Sequence, residues 1–248
     1  MQKELHHSNN PSELQSLIDD SKRVEWETLQ SEKQAIHVIP PHEAVLIRKH
    51  KPDRIMSSRF VITGKQEDQT TRVKSRWCLR GHHDPDLTQK ILAGKCHSPT
   101  LSQLSRSLIL QLIVSNKWIL GLGDIKGAFL EANVLEQAFQ NPVYAELPPG
   151  GVPGVKPGSL VQILGNVYGA NDAPANWYHE FDKVATSVGF TKSKFDSCLY
   201  LCFNSEGQLQ GVLGAHVDDT ITGGDGEAYL SAIAQLKARF PFRKIGRA

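Results

Sequence analysis

Two adjacent carboxylates, Asp218 and Asp219, interrupt an otherwise apolar stretch: Gly211-Val212-Leu213-Gly214-Ala215-His216-Val217 precedes them and Thr220-Ile221-Thr222 follows. Strand-forming residues split by a turn-forming pair predict a β-hairpin with acid at its tip. A third carboxylate has a similar setting, for Asp124 ends the apolar run Trp118-Ile119-Leu120-Gly121-Leu122-Gly123. Three carboxylates at strand ends can hold two Mg²⁺ ions, an arrangement that activates an attacking hydroxyl and neutralises leaving phosphate oxygens in phosphoryl transfer. Asp-Asp is also an ordinary turn former, and an Asp after a strand is common. The joint occurrence of the three, with a basic segment upstream, favours the metal reading.

With 248 residues, 40% hydrophobic and 22% charged, the chain can bury a sizeable core in one domain or one and a half. No apolar run approaches the roughly 20 residues needed to span a bilayer, and Met1–Asn10 offers no apolar signal segment. The four cysteines, Cys78, Cys96, Cys198 and Cys202, therefore read as reduced thiols of an intracellular protein, in cytoplasm or nucleus. Cys78, His82, His83, Cys96 and His97 lie close in sequence, but their spacing fits no common zinc finger. The net charge of +2 conceals an uneven balance: between Arg48 and Arg80, ten Lys and Arg face only Asp53, Glu67 and Asp68. Such a block suits either a phosphate-facing surface or a solvated face.

Patterning along the chain predicts the elements. Residues 1–25 are polar and read as a tail or weak helix. His37-Val38-Ile39-Pro40-Pro41 and Ala44-Val45-Leu46-Ile47-Arg48 read as short strands broken by prolines. Residues 54–80 read as a hairpin with a polar turn from Lys65 to Thr71; its second strand places Arg72, Lys74, Arg76, Cys78 and Arg80 on one face and Val73, Trp77 and Leu79 on the other. That charged face can grip a phosphate backbone or keep an edge strand soluble. Thr100–Gln103 has the capping-box form before a buried helix over Leu104–Val114. A Pro/Gly loop over 148–158 leads to a strand, and a helix starts near Pro174 and closes at Gly189. Strands over Cys198–Phe203 and Leu209–Val217, a loop over Gly223–Gly226 and a last helix through Tyr229, Ile233, Leu236 and Phe240 complete an α+β pattern, an antiparallel sheet with helices packed on one face.

Five segments carry a family resemblance. Asp124-Ile125-Lys126-Gly127-Ala128-Phe129-Leu130 resembles the first catalytic motif of copia-type retrotransposon reverse transcriptases, and His216-Val217-Asp218-Asp219 resembles their Tyr-Val-Asp-Asp motif. Val167-Tyr168-Gly169-Ala170-Asn171-Asp172-Ala173-Pro174-Ala175-Asn176-Trp177-Tyr178 resembles the motif between them that supports template and nucleotide. Arg72-Val73-Lys74-Ser75-Arg76 resembles the family's fingers segment, and Glu25-Trp26 the pair that opens its domain. The motifs stand in the family's order and span most of the chain. The resemblance implies a right-hand polymerase, with fingers over 26–115 and palm over 116–248. It implies Asp124, Asp218 and Asp219 as catalytic ligands of two Mg²⁺ ions, with Mn²⁺ as a substitute. It implies Arg72, Lys74 and Arg76 as contacts to the triphosphate of an incoming deoxynucleoside triphosphate. It sets Phe129 at the steric gate that excludes a 2′-hydroxyl, although the residue alone reads first as a plain core aromatic. Asp172 falls in the nucleotide-binding loop, and the partners implied are an RNA template and a DNA primer.

The chain departs from the family at three positions. His216 stands where Tyr is usual, Asp172 where Gln is usual, and Asn171 where Lys is common. A carboxylate at 172, near nucleotide phosphates, calls for a cationic partner. The family continues into thumb, connection and RNase H regions that have no equivalent before Ala248, so a weak grip on duplex is expected. The alternative to a working polymerase domain is a transposon-derived remnant that binds nucleic acid and polymerises little. A nucleotide cyclase, suggested by Gly223-Gly224-Asp225, is disfavoured because Gly226-Glu227 follows where Glu-Phe is usual.

Overall fold

A computed structural model of the protein describes residues 3–4, 12–67, 70–132 and 137–243. In chain order the elements are β1 (Lys3–Glu4), α1 (Ser12–Glu27), β2 (Ile36–Ile39), α2 (Pro41–His50), β3 (Ile55–Met56), β4 (Ser58–Glu67), β5 (Thr70–Leu79), α3 (Leu87–Leu92), α4 (Gln103–Ser115) and β6 (Gly121–Ile125). They continue as α5 (Gln137–Gln140), β7 (Tyr144–Glu146), β8 (Leu160–Ile163), α6 (Ala173–Ser187), β9 (Phe190–Lys192), β10 (Leu199–Phe203), β11 (Leu209–His216), β12 (Asp219–Gly224), α7 (Glu227–Arg239) and β13 (Phe242–Arg243). The mixture of helices and largely antiparallel strands is the α+β class expected. Contacts group the chain into two compact units, one of residues 1–96 and 132–173 and the other of 97–131 and 174–248. These two units interleave along the chain. α4 packs with β11 and β12 of the second unit, while β7 and β8 pair with β3 and β2 of the first.

In the first unit the basic hairpin forms as expected. β4 and β5 pair from Ser58↔Leu79 to Glu67↔Thr70; the tip of the expected turn, 68–69, lies outside the described residues. Ser75, Trp77 and Leu79 are buried, while Lys74, Arg76 and Cys78 are half-buried and Arg72 exposed, so the two faces follow the sequence alternation. β5 is the edge of its three-stranded sheet, yet three alternate N–H groups in its second half find acceptors. Ser75 N–H donates to Ser21 Oγ (2.7 Å), Trp77 N–H to Glu25 Oε1 (3.3 Å), and Leu79 N–H to the Tyr168 carbonyl (2.8 Å). Four residues of helix rise about 6 Å and two of strand about 6.8 Å, so Ser21 and Glu25 match alternate edge donors.

One sequence expectation is settled in this unit and another corrected. Of the tail and the weak helix expected for the polar N-terminal segment, the helix forms over Ser12–Glu27, as α1, because Ile18 and Trp26 are buried and it lies along β5. The second strand-like piece, Ala44–Arg48, is helical. Pro41 sits in the first turn of α2, where its missing N–H costs nothing, and Arg48, Lys49 and His50 favour the negative end of the helix dipole. Arg48 then makes a two-pronged contact with Glu146 (2.9 and 2.6 Å).

The second unit is a six-stranded sheet in the order β13-β6-β12-β11-β10-β9. α6 and α7 cover one face through Trp177, Phe181, Leu236 and Phe240, against Ile125, Tyr200, Leu213 and Ala215. The expectation of helices on one face only is corrected, because α4 lies on the opposite face. Its Ile109 and Ile113 sit over Gly214 and Gly223, where a Cβ would come within 2.6 and 2.4 Å of them. These strand glycines let the helix backbone approach. α4 covers the expected Leu104–Val114 run, but its cap is Ser102, two residues after Thr100, with Ser102 Oγ accepting the Ser105 N–H (3.1 Å), and it is only half buried, since Leu104 and Val114 are 81% and 72% exposed. Gly223 and Gly224 belong to β12, not to the loop expected there.

The pair Arg54–Asp86 in the first unit makes a testable stability statement. Two bonds of 2.7 and 2.9 Å join it, and the Arg54 guanidinium holds the Asp86 carboxyl below the usual carboxylate range. A lowered folded-state pKa stabilises fully above about pH 5, and the gain fades below about pH 4. Asp86→Asn is expected to cost about 1–2 kcal/mol near neutrality. Urea melts of parent and variant from pH 7 to 3 should show the gap closing at acid pH.

Candidate active site

The hairpin tip is a two-residue connection, Val217-Asp218, between β11 and β12. Val217 has φ +60°, a conformation rare for a β-branched residue. Residues directly opposite one another in antiparallel strands share a face, with Cβ atoms about 5 Å apart. His216 pairs with Asp219, Asp219 with Asp124, and Asp124 with Arg243, so the four form one row across β11, β12, β6 and β13. Asp218 lies in the turn beside them, and its carbonyl accepts the Ile125 N–H (2.9 Å), one residue beyond Asp124.

The charges in this row are incompletely balanced. Burial, then repulsion from Asp218 and Asp124, pushes the Asp219 carboxyl up, and His216 opposes the shift. Arg243 Nη1 stands 3.1 Å from Asp124 Oδ2, with both side chains about half exposed. Oxygen-only donors open to solvent suit Mg²⁺, which keeps waters and takes one or two protein carboxylates. Among the described residues, no three His, Cys, Asp or Glu side chains already form a cage. The donor set fits a divalent ion in chemistry, and closing on one requires the carboxylates to turn toward a common point. A cleft of about 710 Å³ opens alongside, between Leu101 and Arg106 at the start of α4 and Leu122, Asp124, His216 and Asp219 on the sheet.

Phe129 lies in the short 3₁₀ turn after Asp124, half buried against the core that includes Ile125 and Trp177. The remaining expected site residues belong to the first unit. Arg72 is exposed, while the Arg76 guanidinium lies 5.7 Å from the centre of the Tyr168 ring. Burial raises the Glu25 carboxyl, and the Trp77 N–H and the charges of Lys74 and Arg76 pull it back. Asp172 is buried at 7% exposure and has the partner its charge calls for. Lys90 Nζ lies 3.1 Å from Asp172 Oδ2 and 2.8 Å from Asp84 Oδ2. Burial pulls the Lys90 ammonium down, but the two carboxylates outweigh it and hold it above the ordinary lysine value. Asn171 donates to the Gly81 carbonyl (2.6 Å), so both departures in this loop are tied to the segment after β5.

Sequence reasoning missed Arg243, Lys90 and Asp84. Lys90 and Asp84 stand far from Asp172 in the chain, and no local pattern marks them. The Arg243 pairing depends on a two-residue strand too short to carry a periodicity.

Residues 44–248 match the family model described as reverse transcriptase (RNA-dependent DNA polymerase). The chain belongs to that family, and it is a copia-type member, as its motifs implied. It is 26% identical over 194 residues to the retrovirus-related Pol polyprotein from transposon RE2 of Arabidopsis thaliana, covering 77% of this chain and 13% of the relative. The RE1 polyprotein of the same plant is 26% identical over 190 residues, covering 75% of this chain and 12% of the relative. The polyprotein from transposon TNT 1-94 of Nicotiana tabacum is 24% identical over 242 residues, covering 96% of this chain and 17% of the relative. The chain therefore spans less than a fifth of the length of these polyproteins.

Replacing Lys90 with Met should strand two buried carboxylates and cost about 3–5 kcal/mol. Asp172→Asn, which leaves Asp84 and Lys90 paired, should cost far less. Chemical denaturation of the two variants measures both.

Proposed function

We propose that this domain copies RNA into DNA by two-metal nucleotidyl transfer. The observation that carries the reading is the register that sets Asp219 opposite Asp124 with Asp218 at the adjoining turn, in a chain of the reverse transcriptase family. Asp124, Asp218 and Asp219 would hold two Mg²⁺ ions, or Mn²⁺ in their place. Bound there, the ions would lower the pKa of the primer 3′-hydroxyl and neutralise charge on the leaving pyrophosphate. The hydroxyl oxygen forms a bond to the α-phosphorus, the bond from that phosphorus to the bridging oxygen breaks, and pyrophosphate carries away the electron pair.

The chain's own groups position the reactants. Arg72, Lys74 and Arg76 supply cationic contacts for the triphosphate, with Arg76 steadied by Tyr168. Asp172, neutralised by Lys90, anchors the nucleotide-binding loop without facing the phosphates as an unpaired charge. Phe129 would meet a ribose 2′-hydroxyl and so select deoxynucleotides. The first unit takes the fingers role and the second the palm role. The partners are an RNA template, a DNA primer and deoxynucleoside triphosphates. Among the described residues no helix is long and apolar enough to cross a membrane.

Primer extension on an RNA template with Mg²⁺ tests the proposal. Asp218→Asn should reduce extension by the order of 10³-fold, and Arg76→Ala should raise the nucleotide KM about tenfold with a smaller change in kcat. Phe129→Val should admit ribonucleotides. A parent protein that binds RNA but extends no primer would sink this reading and leave the nucleic-acid-binding remnant.

A further inference from the structure

We infer that Trp177 is a positioning residue for the carboxylates at the hairpin tip, acting through its indole N–H. Trp177 is 1% exposed in α6, fixed by edge-on contacts to Phe240 (ring centres 5.1 Å apart) and by Phe181 (5.7 Å). Its Nε1–H donates to the Val217 carbonyl at 2.8 Å. That carbonyl belongs to the peptide joining Val217 to Asp218, so holding it fixes the plane from which the Asp218 side chain departs. The Asp218 carbonyl is held from the other side by the Ile125 N–H at 2.9 Å. The two carbonyls of the turn are thus clamped, one by a helix and one by the strand that carries Asp124.

The clamp is needed because the turn is strained. Val217 has positive φ, the pattern of a type II′ connection, in which glycine is the favoured first residue. A β-branched residue there tends to swing back to negative φ, and the swing would rotate the peptide and carry Asp218 away from Asp124 and Asp219. The indole bond opposes it. Glycine at 217 has no such tendency and should hold the turn without help.

The inference rests on the reading of Asp218 as a metal ligand, and the experiment separates the two. Mn²⁺ binding to the full chain is followed by electron paramagnetic resonance, without nucleotide, in the parent, Trp177→Phe, Val217→Gly, the double variant and Asp218→Asn. Trp177→Phe should weaken Mn²⁺ binding about fivefold, the loss of one net hydrogen bond. In the Val217→Gly background the same replacement should change binding less than about twofold. Equal losses in both backgrounds, or none in either, would overturn the clamp and leave Trp177 as packing alone. Undiminished binding in Asp218→Asn would instead overturn the ligand assignment. If Trp177→Phe fails to melt cooperatively, the double variant should regain cooperative melting, and failure to do so also overturns the inference.

Discussion

Everything at the candidate site depends on the hydrogen-bond register between β12 and β6. Side chains alternate faces along a strand, so a slip of one residue would turn Asp219 into the core and set Asp124 opposite a different neighbour. Two glycine placements hold the register. Gly123 leaves room for Thr220 Oγ1 and the Phe242 ring, where a Cβ would meet them at 2.7 and 2.8 Å, and Thr220 donates to the Gly123 carbonyl at 3.3 Å. Gly214 and Gly223 admit α4 to the opposite face, the one that carries the acidic row. The carboxylate row is therefore placed by backbone geometry and small residues. The acidic side chains contribute repulsion, as the raised Asp219 carboxyl reflects.

The second unit also divides its labour between the faces of one sheet. The face under α6 and α7 is closed by large rings, among them Trp177, Phe181, Tyr200 and Phe240. The opposite face carries α4 over its middle and the polar row at one end, with the cleft between them. A sheet sealed on one side and partly open on the other can be rigid beneath its reactive groups and accessible above them. Trp177 joins the two properties: it is part of the sealed core and it also reaches the turn.

Strong periodicity made part of this legible in the sequence. The basic hairpin, α6 with its closing Gly189, the β10–β11–β12 meander and α7 all follow from alternation, helical spacing and turn residues. The three aspartates were readable because each ends or interrupts an apolar run. The errors fall where local pattern competes with tertiary context. Ala44–Arg48 reads as a strand by its apolar run, but Pro41 and packing against Tyr144 and Leu160 make it a helix. Residues 1–25 left tail and weak helix both open, since the edge that α1 covers is contributed by residues about fifty positions later. The Lys90–Asp172 pair was inaccessible for the same reason, although the need for some cation near Asp172 was stated by its charge.

The covering of β5 by α1 bears on where this domain begins. The family match starts at residue 44, beyond α1. A protein trimmed to that match would lose Ser21 and Glu25, the acceptors for the Ser75 and Trp77 N–H groups on the edge strand. It would also bare Trp77, whose indole stacks edge-on against Trp26 at 5.6 Å. An edge strand of ten residues with open donors and an exposed indole is a template for strand addition from another chain. The N-terminal helix thus shields the edge strand as well as packing on it, and the folded domain includes residues upstream of the family-model match.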